Sequence, residues 1–248
     1  MQLVLRNVKR TFRSATRTFE LQIPRFEAKK GEALALLGES GSGKTAMLEL
    51  LALAAVPDPG GEFRFAGPRP LDVAGLWRRR QLAALAAARA ARLGFVAQSD
   101  GLLPFLTARA NAALAQEAAG RQNARRIVQL AERLGVAAVL DELPQRLSLG
   151  QRQRVAILRA LAHRPDFVIA DEPTSALDPK AGRDAIDLFL SVAAEEGIGV
   201  VLSSHNVALM RQVGVETVEV VPGNRTCGAA GEGEESASRW ISRVECRS

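Results

Sequence analysis

The spacing of apolar positions along this chain changes several times, and each change marks an element. QLVLRNV (2–8) and TFELQIP (18–24) alternate apolar and polar residues, the period of a half-buried strand. ALALL (33–37), after the turn Lys30-Gly31-Glu32, is a short continuous apolar run, which suits a buried strand. EFRF (62–65), LGFVA (93–97), DFVIAD (166–171), GVVLSS (199–204) and VETVEVV (215–221) read as further strands. Between them, TAMLELLALAAV (45–56) predicts a largely buried helix ended by Pro57; one alanine- and arginine-rich helix is predicted over 76–92 and helix again over 179–196. From about 104 to 165 the texture differs, with three successive helical patterns (107–119, 121–134, 150–163) and no convincing strand. This is strand–helix alternation interrupted by an all-helical insert. One domain is expected over 1–222, its core about 1–98 and 166–222 and its helical subdomain about 99–165. The Gly/Glu/Ser-rich residues 223–248 read as a flexible tail.

Composition narrows the picture. At 248 residues, 47% hydrophobic, the chain can bury one sizeable core with a smaller lobe. The two cysteines, Cys227 and Cys246, stand at no metal-ligand spacing, so a reducing cytosol is expected rather than a structural disulfide or zinc site. MQLVLRNVKR turns polar too soon for a leader, and no apolar run is long enough to span a bilayer. The net charge of +6 rests on scattered arginines, apart from RRR at 78–80. With no tyrosine and few other aromatics, a stacking surface for bases is poorly supplied, and no dedicated nucleic-acid binding is expected.

The chemistry begins at GESGSGKT (38–45), which matches G-x-x-x-x-G-K-[ST] through Gly38, Gly43, Lys44 and Thr45. A strand precedes it and a helix follows, the context the motif needs. Its glycines let the backbone curl so that N–H groups face phosphate oxygens, and the helix start adds partial positive charge. Lys44 is expected on the β- and γ-phosphates and the Thr45 hydroxyl on Mg²⁺. The nucleotide-binding segment is taken as Gly38, Glu39, Ser40, Gly41, Ser42, Gly43, Lys44, Thr45 and Ala46. FVIADEPTSALD supplies an acidic partner at the end of an apolar strand. Asp171 is expected to hold Mg²⁺ through water, and Glu172, facing the other way, to orient and deprotonate the attacking water.

Five elements then occur in order: the phosphate loop, a strand ending in glutamine (FVAQ, 95–98), RLSLGQRQR (146–154), VIADEPTSALD (168–178) and a strand ending in histidine (VLSSHN, 201–206). Over roughly residues 1–221 they make the chain resemble an ATP-binding-cassette (ABC) ATPase. The resemblance implies an α/β fold: a P-loop (RecA-like) nucleotide-binding core with an antiparallel β region and an inserted α-helical subdomain. It implies ATP and Mg²⁺ as ligands, with Gln98 contacting Mg²⁺ and the attacking water. His205 would contact the γ-phosphate, and Asp178 would cross a dimer interface. For the aromatic that stacks on adenine, Phe12 is chosen; Phe19 and Phe26 read as strand and core residues. The other histidine, His163, ends a helical pattern where a cation suits the dipole, and reads as structural.

In this family the signature segment completes the site of a second subunit. Ser148, Leu149, Gly150 and Gln151 would therefore act in trans, most simply in a homodimer. Ser148 suits a helix N-cap, and a helix start presents free N–H groups to phosphate. The family's usual segment is LSGGQ, so Leu149 replaces a glycine. A left-handed backbone there would cost leucine roughly 1–2 kcal/mol, so a negative φ is expected, with the side chain turned from phosphate.

RLGFVAQSDGLLPFLTARANAALA (92–115) further resembles cassettes of the lipoprotein-releasing, macrolide-export and cell-division group. Ala97 and Ala110 depart from that pattern, replacing an aromatic and an acid. The function implied is ATP hydrolysis driving transport through separate membrane permease subunits, from the cytoplasmic face of the cell membrane. Importer cassettes, and soluble cassettes acting on DNA or ribosomes, are the alternatives.

Overall fold

The computed structural model describes residues 1–13, 17–222, 226–227 and 238–246. The chain opens with two long strands, β1 (Gln2–Arg13) and β2 (Arg17–Lys29), then β3 (Ala33–Leu37), helix α1 (Lys44–Leu51), and β4 (Glu62–Ala66) and β5 (Leu71–Asp72). Helices α2 (Val73–Arg78) and α3 (Leu82–Arg92) lead into β6 (Leu93–Val96). Three helices follow without a strand, α4 (Ala108–Ala118), α5 (Ala124–Arg133) and α6 (Leu149–Leu161). Then come β7 (Phe167–Ala170), α7 (Pro179–Glu195), β8 (Gly199–Ser204), α8 (Val207–Gln212), β9 (Glu216–Pro222), β10 (Thr226–Cys227) and β11 (Ser238–Cys246).

Among the described residues the strands join in one sheet, ordered β5-β4-β1-β2-β11-β9-β3-β8-β7-β6, with β10 on β11. Strands β9, β3, β8, β7 and β6 run parallel, whereas β1, β2, β4 and β5 pair antiparallel. Period-two alternation explains why the parallel strands read as unbroken apolar runs, since both faces are covered. Ala35, Leu37, Val168, Ala170, Val200 and Leu202 face a core shared with α4–α7. Leu34, Leu36, Phe167, Ile169 and Val201 face the opposite core, around α1 and the antiparallel strands. The two cores meet the sheet from opposite sides.

Four expectations need correction. Helix α1 stops at Leu51, well before Pro57, because Leu53 turns left-handed (φ 55). The helix foreseen over 76–92 is two, broken where Arg80 has φ 53. Within the residues read as a flexible tail, β11 lies between β2 (parallel) and β9 (antiparallel), and β10 pairs with β11; the rest of that tail is outside the described residues. Lastly, His163 is structural but not a cation. It is 4% exposed, and burial pushes it down to about 4, so the neutral ring bonds the Leu93 carbonyl through Nε2 at 3.0 Å.

The helical lobe is fastened to the core by a buried arginine. Arg126 on α5 donates to the carbonyls of Leu161 (3.1 Å) and Ala162 (3.0 Å) and to Glu196 Oε2 (2.8 Å), just beyond α7. A buried guanidinium demands this full set of acceptors, so the contact fixes where α6 leaves the core. No helix among the described residues is long and apolar enough to cross a membrane.

Candidate nucleotide site

The phosphate loop curls between β3 and α1 because two of its glycines sit where a side chain would collide. A Cβ on Gly38 would lie 2.6 Å from the Val220 carbonyl oxygen, and one on Gly43 (φ 103) would lie 2.8 Å from Phe19 Cζ. Lys44 is 6% exposed, and its ammonium donates to the carbonyls of Gly38 and Glu39, each at 2.8 Å. Ser42 is buried and its hydroxyl has no hydrogen-bond partner among the described residues. A buried lysine resting on loop carbonyls beside an orphan hydroxyl is a cradle suited to an anion.

Four strand ends meet beside this loop. Thr45, at the start of α1 after β3, donates through Oγ1 to Asp171 Oδ2 (3.1 Å). Ser203, at the end of β8, donates to Asp171 Oδ1 (2.6 Å) and accepts from the Glu172 N–H (2.9 Å). Glu172 has φ 42, a strained conformation for a non-glycine residue. Its Oε2 receives the Gln98 amide from beyond β6 at 3.5 Å and lies 3.3 Å from His205 Nδ1 beyond β8. A cavity of about 340 Å³ is lined by Phe19, Ser40, Gly41, Gly43, Lys44, Thr45, Gln98, Asp171 and Glu172. That volume lies within the range of small-ligand pockets.

Sequence reasoning thus selected all of this lining except Phe19. Ser203, which ties the aspartate to the glutamate, was missed. Phe12 does not itself line this cavity. It sits across from Phe19 on the neighbouring strand, ring centres 5.8 Å apart, and Phe19 is the aromatic wall. Phe26 is a core residue. Ala46 lies one position past Thr45 in α1 and packs against the second core.

Two predicted groups stand apart from the cavity. Asp178 caps α7, its Oδ1 accepting from the N–H groups of Lys180 (3.1 Å) and Ala181 (3.0 Å). Ser148 caps α6 reciprocally: its Oγ accepts the Gln151 N–H (3.3 Å), while its own N–H donates to Gln151 Oε1 (2.9 Å). Leu149 is the first helical residue, with no positive φ, as expected, and 39% of its surface is exposed. A Cβ on Gly150 would meet only Arg154 Nη2, at 4.0 Å.

The residues could hold a divalent cation. Thr45 Oγ1 and Asp171 Oδ2 converge as hard oxygen donors, the kind Mg²⁺ takes, and Gln98 lines the same cavity.

A family profile described as ABC transporter matches residues 21–175. The chain belongs to the ABC transporter family. It carries that family's ATPase domain. It is similar to the lipoprotein-releasing system ATP-binding protein LolD of Paramagnetospirillum magneticum, 37% identical over 208 residues, covering 82% of this chain and 88% of that one. It is also similar to the macrolide export ATP-binding/permease protein MacB of Rhodopirellula baltica, 39% identical over 181 residues, 71% of this chain but 25% of the relative. Among solved structures, the dimeric ABC transporter cassette MJ0796 superposes with a TM-score of 0.75 at 30% identity, covering 88% of this chain and 94% of that cassette. The same cassette is also known as a dimer in a post-hydrolysis state bound to ADP and Pi, with the same score. The ABC cassette described here is therefore an ATPase by family.

Proposed function

We propose that this chain is the ATP-hydrolysing subunit of a transporter of the lipoprotein-releasing type, acting as a homodimer beneath separate permease subunits. The observation that carries the reading is the convergence of Gln98, His205 and the Ser203-anchored Asp171 on Glu172, directly beside the phosphate loop.

In this reading Lys44 leaves the carbonyls of Gly38 and Glu39 for the β- and γ-phosphates, exchanging neutral acceptors for charged ones. Loop N–H groups hold the remaining phosphate oxygens, and adenine lies against the Phe12–Phe19 pair. Thr45, Asp171 and Gln98 would hold Mg²⁺, which neutralises charge on the phosphates. Glu172 accepts a proton from the water that attacks the γ-phosphorus in line, while Gln98 and His205 fix that water and the γ-phosphate. Ser203 keeps the strained Glu172 in place.

The second copy completes the site through Ser148, Leu149, Gly150, Gln151 and Asp178. Gly150 supports this assignment. Glycine in a helix costs up to about 1 kcal/mol relative to alanine, and nothing among the described residues crowds the position. A reason for glycine must then come from outside the chain, such as another subunit's phosphate. The docking face for a permease is assigned to the loop that follows Gln98 in the chain. There Phe105 is 73% exposed on a loop held from inside by Asn111, which bonds Leu103, Leu106 and Thr107.

The test is capture of tagged Glu172→Gln chain from detergent-solubilised membranes with Mg-ATP. A membrane subunit with a large extracytoplasmic domain is the expected catch. A compact importer-type permease would reverse the direction of transport, and ribosomes or DNA-bound proteins with no membrane subunit would overturn the proposal.

A further inference from the structure

The two-residue turn just past Gln98 is gripped by the signature helix. Asp100 (φ 56) and Gly101 (φ 59) are consecutive left-handed residues, a costly arrangement for aspartate that persists only where neighbours fix it. Two arginines of α6 do so. Arg152 Nε lies 3.2 Å from Asp100 Oδ2, and Arg159 donates to the carbonyls of Gly101 (2.6 Å) and Asp100 (3.2 Å). Their spacing, about two helical turns, puts both on one face of α6. Arg152 also donates to the Leu147 carbonyl at 3.2 Å, immediately before Ser148. One guanidinium therefore joins the start of the signature segment to the turn beside Gln98, whose amide reaches Glu172. The pair is largely shielded, with side chains 32% and 21% exposed, so water and salt weaken it less than a surface pair.

We propose that Asp100 is a positioning residue that, through Arg152, makes the place of the signature segment set the place of Gln98. The proposal rests on the hydrolytic reading above. The signature segment closes on the partner's nucleotide, while Gln98 serves the chain's own. A shift of 147–151 on closure is carried by Arg152 to the Asp100 turn and so to the groups around Glu172. Closure at one site thereby aligns the other. Without the ion pair the two segments move independently, and the sites of the dimer lose their cooperation.

The test uses the purified full chain with Asp100→Asn, Arg152→Gln, the double variant and Arg152→Lys. Asparagine tolerates a left-handed φ and keeps an acceptor for the Leu102 N–H, which now bonds Asp100 Oδ1 at 3.1 Å. It therefore removes the charge and spares the turn. Both single variants are expected to lose about tenfold in kcat and to give a non-cooperative ATP curve, with Mg-ADP binding within about twofold of wild type. The double variant should be no worse than either single, and Arg152→Lys should recover most of the rate. Wild-type kcat and cooperativity in Asp100→Asn, or additive losses in the double, would overturn the proposal. A wild-type chain that hydrolyses no ATP would overturn the hydrolytic reading, and this coupling with it; an active wild type with indifferent variants overturns the coupling alone.

Discussion

His205 Nδ1 lies 3.3 Å from Glu172 Oε2, the same oxygen that the Gln98 amide approaches at 3.5 Å. One carboxylate oxygen thus gathers residues from beyond the ends of β6, β7 and β8. Glu172→Gln keeps the shape of that junction and removes its basicity. The variant is expected to lose at least about a hundredfold in kcat while still binding ATP. Light scattering with Mg-ATP should show it as a dimer. Hydrolysis at the wild-type rate would remove Glu172 from the role of base.

Ser203 offers a finer probe, because it touches both acidic residues without facing the cavity. Ser203→Ala leaves the Glu172 N–H and Asp171 Oδ1 each without this partner, at a cost of about 1–3 kcal/mol. The strained Glu172 would then relax, lowering kcat about tenfold, with nucleotide affinity changed much less. Thermal melting and steady-state kinetics measure the two effects separately. A rate equal to wild type would mean that the backbone alone holds Glu172.

Gly150→Ala should move stability and activity in opposite directions. In the isolated chain the added methyl meets nothing closer than Arg154 Nη2 at 4.0 Å, and alanine favours the helix by up to about 1 kcal/mol. In a dimer the same methyl would stand where a partner's nucleotide closes, and ATPase activity should fall at least about tenfold. A melting temperature without nucleotide that holds or rises, beside a depressed rate, is the expected pair of results. An unchanged rate would place the signature segment away from the partner's site.

What could be read in the sequence were features requiring one residue type at fixed spacing. The phosphate loop, Asp171-Glu172 and the α6 cap are of this kind, and their local geometry follows from a few neighbouring residues. Ser203 was hidden because GVVLSS gives no sign of which serine meets the end of β7. Phe19 was hidden by register, since only the pairing of β1 with β2 sets it against Gly43. The break between α2 and α3 falls among arginines that favour helix, so propensity alone carried the helix straight through. Strand β11 was obscured by its Gly/Glu/Ser-rich neighbour, and its partners β2 and β9 are far away in sequence. For Ser203, Phe19 and β11 the missing information was a contact between distant segments, whereas the α2–α3 break is a local left-handed turn at Arg80.

His163 gives the chain a specific acid weakness. Burial pushes its folded value down from 6.5 to about 4, while the unfolded chain binds its proton near the ordinary value. Above about pH 6.5 the ring is neutral in both states and has no effect on the balance. As pH falls from there to about 4, the unfolded state takes up a proton that the native state refuses, so stability is lost across that window. Below it both states are protonated and the loss stops growing. The full shift corresponds to a loss on the order of 3 kcal/mol. His163→Gln keeps an N–H donor for the Leu93 carbonyl, bonded at 3.0 Å in the native chain, and cannot titrate. Urea unfolding at pH 7.5 and pH 4.5 should show wild type losing more stability than this variant as the solution is acidified. An equal loss in both would mean that His163 is protonated in the fold and that the α6–β6 junction accommodates the charge.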